Sequence, residues 1–477
     1  MKPFVLIAIL ACPAALFAGD ATLLPVARHV SSLAGARLMS DPPLAFTETD
    51  PAAPPDFSVD ESRVYQTIAG FGASFMEAGM ICLNSLPETK REEVLRALFD
   101  PLHGAGFTLM KTPLAGTDFM SAGPWFSYND RAGDSAMKNF SIARDLGPDG
   151  VATYIQHARR HGRFTLQATM DYPPDWMLVD VNQNQDLNPE WFDALARYYL
   201  CYLREYEKQG IAIDYLSPFN EPGVYTKIPW WKIRDLIKNH VGPLLAKEEI
   251  TTRLMLPESS DRRNAWDNQP VVMEDPAARR FIAVMPYHGY NGGGFGQVAA
   301  LGARYPDIPL WMTEVCHGYI VRTPREFPLP HYDFEDSDHW GNMIFSDLEA
   351  GAAAWVYWNM ILDEKGGPWL TSPIHGNPKE NIQHPLVIIN RETGKVTYTG
   401  AYWVLAHFSK FVRPGAKRIA SSGSHEGVRC LVFKNPEGGF VAQFLNSRKE
   451  DTRITLGCRG QSVSLALAAV SITTCLW

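Results

Sequence analysis

From residue 67 onward the chain alternates two hydrophobic rhythms. Short runs rich in β-branched and aromatic residues, mostly apolar at the start and polar at the end, are separated by longer stretches of helical character. The short runs are TIAGFGAS from Thr67, FTLMKTPLA from Phe107, FTLQATMDY from Phe164 and DYLSPFNEP from Asp214. TRLMLPESS from Thr252, FIAVMPYHGY from Phe281, IPLWMTEV from Ile308 and AAWVYWNM from Ala353 complete a set of eight. Their starts lie 27 residues (281 to 308) to 57 residues (107 to 164) apart, the length of βα units. REEVLRALF, WFDALARYYLCYLREYEKQG and WWKIRDLIKNHVGPLLAKE are predicted helices before the second, fourth and fifth strands. The last repeats apolar residues at Ile233, Ile237, Val241 and Leu244. Eight βα units with polar strand ends predict an α/β fold, a (β/α)8 TIM barrel with its chemistry at the C-terminal ends of the strands. A doubly wound sheet is the structural alternative.

After about residue 395 the rhythm changes. RCLVFKN, GGFVAQFLN, TRITLG, QSVSLAL and SITTCLW are short alternating strands between Gly, Asn and Ser turns, and predict an all-β side domain. TLLPVARHV near the start is expected to add a strand or two to it. The Pro- and Asp-rich stretch SDPPLAFTETDPAAPPDF (40–57) cannot be a helix or a central strand and is expected to be a surface connection. Lys2, the apolar run Phe4 to Phe17, and Ala18-Gly19 have the form of an export signal. The expected organisation is therefore 1–19 signal peptide, 20–65 N-terminal segment joining the side domain, 66–395 barrel, and 396–477 β-sandwich. Secretion or a periplasmic location follows, with lipid anchoring through Cys12 as a variant. No later run is long enough for an integral membrane span.

Composition narrows the classes. A net charge of −8 disfavours nucleic acid as a partner, because phosphate backbones are met by clustered Lys and Arg. Apart from Cys12 there are six cysteines with no CxxC pair and no Cys/His ligand spacing, so no metal is expected. Buried free thiols are their default state, although Cys430, Cys458 and Cys475 share one region and export permits disulfides. The oligomeric state is left open.

The candidate chemistry lies at strand ends. The fourth run ends Asn220-Glu221-Pro222. Pro222 removes a backbone donor and predicts an extended Glu221 where the strand stops. The seventh ends Trp311-Met312-Thr313-Glu314. A barrel brings strands four and seven across one mouth, and two facing carboxylates suit glycosidic bond hydrolysis. A separation of roughly 5–5.5 Å would mean retention and about 6.5–9.5 Å inversion, and the sequence leaves both open. Lys111, Asp118, Phe119, Asp171, Tyr172, Trp176, His288, Tyr290, Trp358 and Asn359 are further candidates to line that mouth. Glu258 and Asp363 are read as hydrogen-bond acceptors for neighbouring loops. A non-catalytic carbohydrate-binding protein on the same barrel is the alternative function, and a metal-dependent hydrolase a third that lacks the expected His pairs.

Several ordered motifs also resemble one family, from about Gln66 to the end of the chain. TIAGFGASFMEA is similar to the first barrel strand of glycoside hydrolase family 30, which includes acid β-glucosidase, β-glucosidases, xylanases and endoglucanases. TPLAGTDF, LSPFNEP, LWMTEVCHG, AWVYWNMILDEKGGP and AYWVLAHFSKFVRPGA resemble later motifs in order. The resemblance implies a retaining β-glycosidase with no cofactor, Glu221 as acid/base and Glu314 as nucleophile. It implies Asn220 on the sugar 2-hydroxyl, Asp118 on hydroxyls across the ring, Trp358 under the sugar, and Tyr290 hydrogen-bonded to the nucleophile. Lys111 stands where the family usually has Arg, Asp171 where it often has Trp, with Trp176 matching the following Trp, and Met76-Glu77 where Thr-Asp is common. The sugar is accordingly open among a glucoside, a glucosylceramide-like lipid, a xyloside, a fucoside and an oligosaccharide, as is endo or exo action.

Overall fold

The computed structural model describes residues 25–120, 125–180, 184–224, 226–320, 334–369 and 381–477. The expected signal segment and Cys12 lie outside the described residues. Eight parallel strands close into a barrel. They are β1 (Gly70–Ser74), β2 (Leu109–Pro113), β3 (Thr165–Thr169), β4 (Tyr215–Ser217), β5 (Arg253–Met255), β6 (Ile282–His288), β7 (Leu310–Glu314) and β8 (Ala352–Asn359). They follow one another around the ring, β8 pairing back with β1, and each overlaps one of the eight runs read from the sequence.

The side chains inside the barrel form two layers, because alternate residues of a strand point inward. The lower layer is apolar: Leu109, Met255, Val284, Trp311, Ala354 and Val356 form a cluster of their own. Two or four residues further along the same strands, the upper layer holds Lys111, His288, Thr313 and Trp358, all buried. Outward residues such as Met110, Leu166, Met285, Met312 and Trp355 pack under the surrounding helices in the main core. The apolar plug thus closes the bottom and leaves the strand ends as the one polar floor.

The stretch expected as a single helix before β5 is three segments: Trp230–Leu236, a π turn over Ile237–Val241, and Gly242–Lys247. Pro243 has no N–H to donate four residues back, so the ladder widens there.

The side domain is a ten-stranded sheet folded over its own core of Val26, Phe57, Val432, Phe444, Ile454 and Leu465. Residues 40–57 depart from the expected connection. They supply most of Met39–Ala45 and all of Thr47–Glu48, the two edge strands, and lead into Phe57–Thr67 further inside. Pro42 and Pro43 are tolerated because an edge strand turns half its amides away from any partner. The strands Val428–Lys434 and Phe440–Asn446 are buried on both faces. Val432 and Phe444 face the side-domain core, whereas Leu431, Phe433, Val441 and Leu445 join the barrel core. The helix Gly400–Phe411 lies at this junction, and its buried His407 meets Thr474 Oγ1 (2.7 Å) and Ser31 Oγ (2.9 Å) through its two ring nitrogens. All six described cysteines are free thiols. No helix among the described residues is long and apolar enough to cross a membrane.

Candidate active site

The ends of β4 and β7 bring Glu221 and Glu314 together, with a carboxylate oxygen of each and a ring nitrogen of His288 all within 4.8 Å of one another. Glu221 is not extended as Pro222 led one to expect: its φ is +46°. A left-handed non-glycine residue costs roughly 1–2 kcal/mol. The neighbouring bonds hold it there. Glu221 N–H donates to Glu258 O (2.9 Å), Val224 N–H to Glu221 O (3.0 Å), and Gly223 N–H to Thr226 O (2.6 Å). Such strain persists where the surroundings over-determine it, and here it accompanies the turn that carries the Glu221 carboxyl to its partners.

Beneath the pair lies a buried charge network. The Lys111 ammonium donates to Glu314 Oε2 (2.7 Å) and Glu258 Oε2 (2.8 Å), lies 3.4 Å from Asn220 Oδ1, and sits 4.8 Å from the centre of the Trp358 ring. His288 bridges Glu221 Oε1 through Nδ1 (2.6 Å) and Glu258 Oε2 through Nε2 (3.0 Å). Thr313 donates to Glu258 Oε2 (2.7 Å) and Thr169 to Glu258 Oε1. Tyr290 donates to Glu314 Oε1 at 3.0 Å, so both oxygens of Glu314 accept hydrogen bonds. Gly289 permits this last contact: a Cβ there would stand 2.9 Å from the Val315 Cβ, and its N–H donates to Glu314 O (2.8 Å).

These contacts set the proton affinities. Burial raises that of Glu221, with the charge of Glu314 acting in the same sense and His288 opposing. Burial would lower His288, but Glu314, Glu221 and Glu258 outweigh it and push it up to about 10. Burial would raise Glu258, but Lys111 and His288 hold it down to about 2. Asp171 is raised well above the usual carboxylate range by burial, assisted by Asp118, Glu314 and Glu258. The site therefore holds one carboxyl whose hold on a proton burial strengthens, beside a second whose two oxygens accept from an ammonium and a phenol. That is the division of labour acid-assisted displacement at carbon needs.

The other sequence candidates fall into two groups. Asp171 and Trp358 are buried at the strand ends beside Lys111. Asp118, partly exposed, adds its charge to Asp171. Phe119 is fully buried in the main core. Its backbone is held by Ala78 N–H, which donates to Phe119 O, and by Thr117 Oγ1, which accepts from Phe119 N–H. Trp176 pins loops, donating to Asn129 O (2.8 Å) and meeting Trp191 edge-on at 5.0 Å. Tyr172 meets Trp125 edge-on at 4.7 Å. Asn359 donates to Gln383 Oε1 (2.5 Å) at the rim, a partner that sequence reasoning missed. Asp363 accepts from the loop amides of Lys365 and Gly367, as expected. Glu258 corrects its reading: it serves the charge network, not a loop. Its position three residues beyond the strand Arg253–Met255 is the same strand-end signal that picked out Glu221 and Glu314.

Comparison with known proteins agrees with this fold. The model of the glycosyl hydrolase family 30 TIM-barrel domain matches residues 68–412, and that of the family's β-sandwich domain residues 415–475. Putative glucosylceramidase 4 of Caenorhabditis elegans is 29% identical over 417 residues, covering 82% of this chain and 76% of that one. An endo-1,6-β-D-glucanase of Neurospora crassa is 26% identical over 438 residues, covering 85% and 86%. Among solved structures, SrfJ of Salmonella typhimurium superposes with a TM-score of 0.84 at 22% identity, over 95% of this chain and 99% of that one. The chain belongs to glycosyl hydrolase family 30 and is a glycosidase.

Proposed function

We propose that the protein is a retaining β-glycosidase acting on β-D-glucosides, with Glu314 as nucleophile and Glu221 as acid/base. One observation carries the reading: oxygens of the two carboxyls lie within 4.8 Å. An oxygen-to-oxygen approach this close supports direct attack over inversion, in which the two carboxyl groups stand roughly 6.5–9.5 Å apart around a water. Glu314 attacks the anomeric carbon while Glu221 delivers its proton to the departing oxygen, giving a β-linked sugar's α-glycosyl ester on Glu314. Glu221, now ionised, takes a proton from water, and the hydroxide displaces Glu314 to release the β-hemiacetal. His288 donates Nδ1–H to Glu221 Oε1, which leaves Oε2 to carry the acid proton. Relatives named glucosylceramidase and endo-1,6-β-D-glucanase support glucose at the reacting position.

The test uses aryl β-D-glucosides with added azide. Glu314→Ala should yield an α-glucosyl azide and Glu221→Ala a β-glucosyl azide, each after a loss of roughly 10²–10⁴ or more in unassisted turnover. Wild-type turnover by either variant would overturn the assignment, and exchanged anomers would reverse the two roles.

A further inference from the structure

We propose that a groove beside the acid/base loop is a leaving-group subsite that binds the pyranose rings of a β-linked glucan. The inference rests on the roles given above to Glu221 and Glu314. The groove encloses about 540 Å³. Its wall begins at Pro222 and Gly223, directly after Glu221, and continues over Trp230 and Trp231 to Asn264 and Val271. The oxygen that leaves must touch the acid, so the rest of the leaving group extends past the turn that carries Glu221, and the wall of this groove begins on that turn.

Three features fit a sugar chain. First, Trp231 is 50% exposed, an unusual state for the largest apolar side chain. It is nonetheless held in place. The Lys232 ammonium sits 5.6 Å from its ring centre, and Lys232 is itself tied to Asp186 and to Leu187 O. A fixed, exposed indole face is a platform for the C–H face of a pyranose. Second, the wall carries two buried polar atoms with no partner among the described residues, Trp230 Nε1 and Asn264 Oδ1. An unmet buried donor and acceptor are costly, and a turn of either side chain toward the groove would let sugar hydroxyls serve both. Third, an alkyl chain would cover the same tryptophan and leave those two atoms unmet, which favours a polyhydroxylated leaving group over a lipid one.

The experiment has a binding arm and a kinetic arm. In the first, β-1,6-, β-1,4- and β-1,3-linked glucotetraoses are titrated calorimetrically into Glu221→Gln and into Glu221→Gln/Trp231→Ala. At least one tetraose should bind the former and lose about tenfold or more in affinity with Trp231→Ala. In the second, Trp231→Ala in the otherwise native chain should lose at least tenfold more kcat/KM on that tetraose than on 4-nitrophenyl β-D-glucoside. Trp231→Phe, which keeps an aromatic face, should recover part of the loss. Equal losses on tetraose and aryl glucoside, or no Trp231-dependent binding of any tetraose, would overturn the subsite while leaving the assignment of the two glutamates standing. A selective loss on octyl β-D-glucoside instead would overturn it in favour of a lipid leaving group. Failure to cleave the aryl glucoside would count against the catalytic assignment, and the binding arm would still judge the groove.

Discussion

Replacing Glu258 with Gln tests whether the buried network works as described. The side chain keeps its size but loses its charge, and its new amide would face donors. Wild-type Glu258 accepts from Lys111 (2.8 Å), His288 (3.0 Å), Thr313 (2.7 Å) and Thr169. All are buried, so water cannot replace what is removed. Taking one partner from a buried ion pair costs about 3–5 kcal/mol, and of its two ion pairs Lys111 would keep the one with Glu314. The proton balance moves as well. Glu258 is one of three carboxylates that raise His288 to about 10, and removing it should lower His288 by about one to two pH units. Losing that negative charge also makes ionised Glu221 less unfavourable. Both effects shift the basic limb of kcat/KM to lower pH. Urea unfolding followed by tryptophan fluorescence measures the first effect, and the pH profile on an aryl β-glucoside the second. Glu258→Asp, which restores charge, should return most of the pH profile. A Gln variant within about 1 kcal/mol of wild type, with an unmoved basic limb, would refute the network's role.

Other expectations follow from single contacts. Tyr290→Phe removes the phenol from Glu314 Oε1 and should lower kcat/KM about 10- to 100-fold with the fold intact; unchanged kinetics would show that the bond does not matter in the reaction. Asp145 is buried against the hydroxyls of Tyr128 and Tyr206, and burial raises it from 3.8 to about 7. Its native carboxyl keeps a proton that the unfolded chain has lost, so its contribution is full below about pH 4 and disappears as pH rises through 7. Asp145→Asn should therefore lack the wild-type decline in stability between pH 5 and 8, and parallel curves would contradict this. A Cβ at Gly72 would stand 2.0 Å from the Leu109 carbonyl oxygen, so Gly72→Ala should cost about 1–3 kcal/mol or more in urea unfolding, and a neutral effect would contradict the tight β1–β2 approach.

How much of this the sequence disclosed differs between elements for physical reasons. Barrel strands declare themselves because each is a short apolar run, most with a polar end, and all eight were legible. The edge strand Met39–Ala45 was not, since two prolines suit a loop as well as an unpaired edge. Glu221 and Glu314 stood out as strand-end acids, but one of the bonds that hold the left-handed backbone of Glu221 goes to Glu258 O, 37 positions away (258 − 221), which no local pattern reveals. Glu258 carried the same strand-end signal and was under-read. Its role depends on facing Lys111 and His288, a matter of barrel closure.

The central claim is that Glu221 and Glu314 stand at the spacing of a double displacement. Following the hydrolysis of an aryl β-D-glucoside by proton NMR tests it most directly, because the first-formed anomer is visible before mutarotation. The account predicts β-glucose appearing first and α-glucose only later; α-glucose as the first product would contradict it.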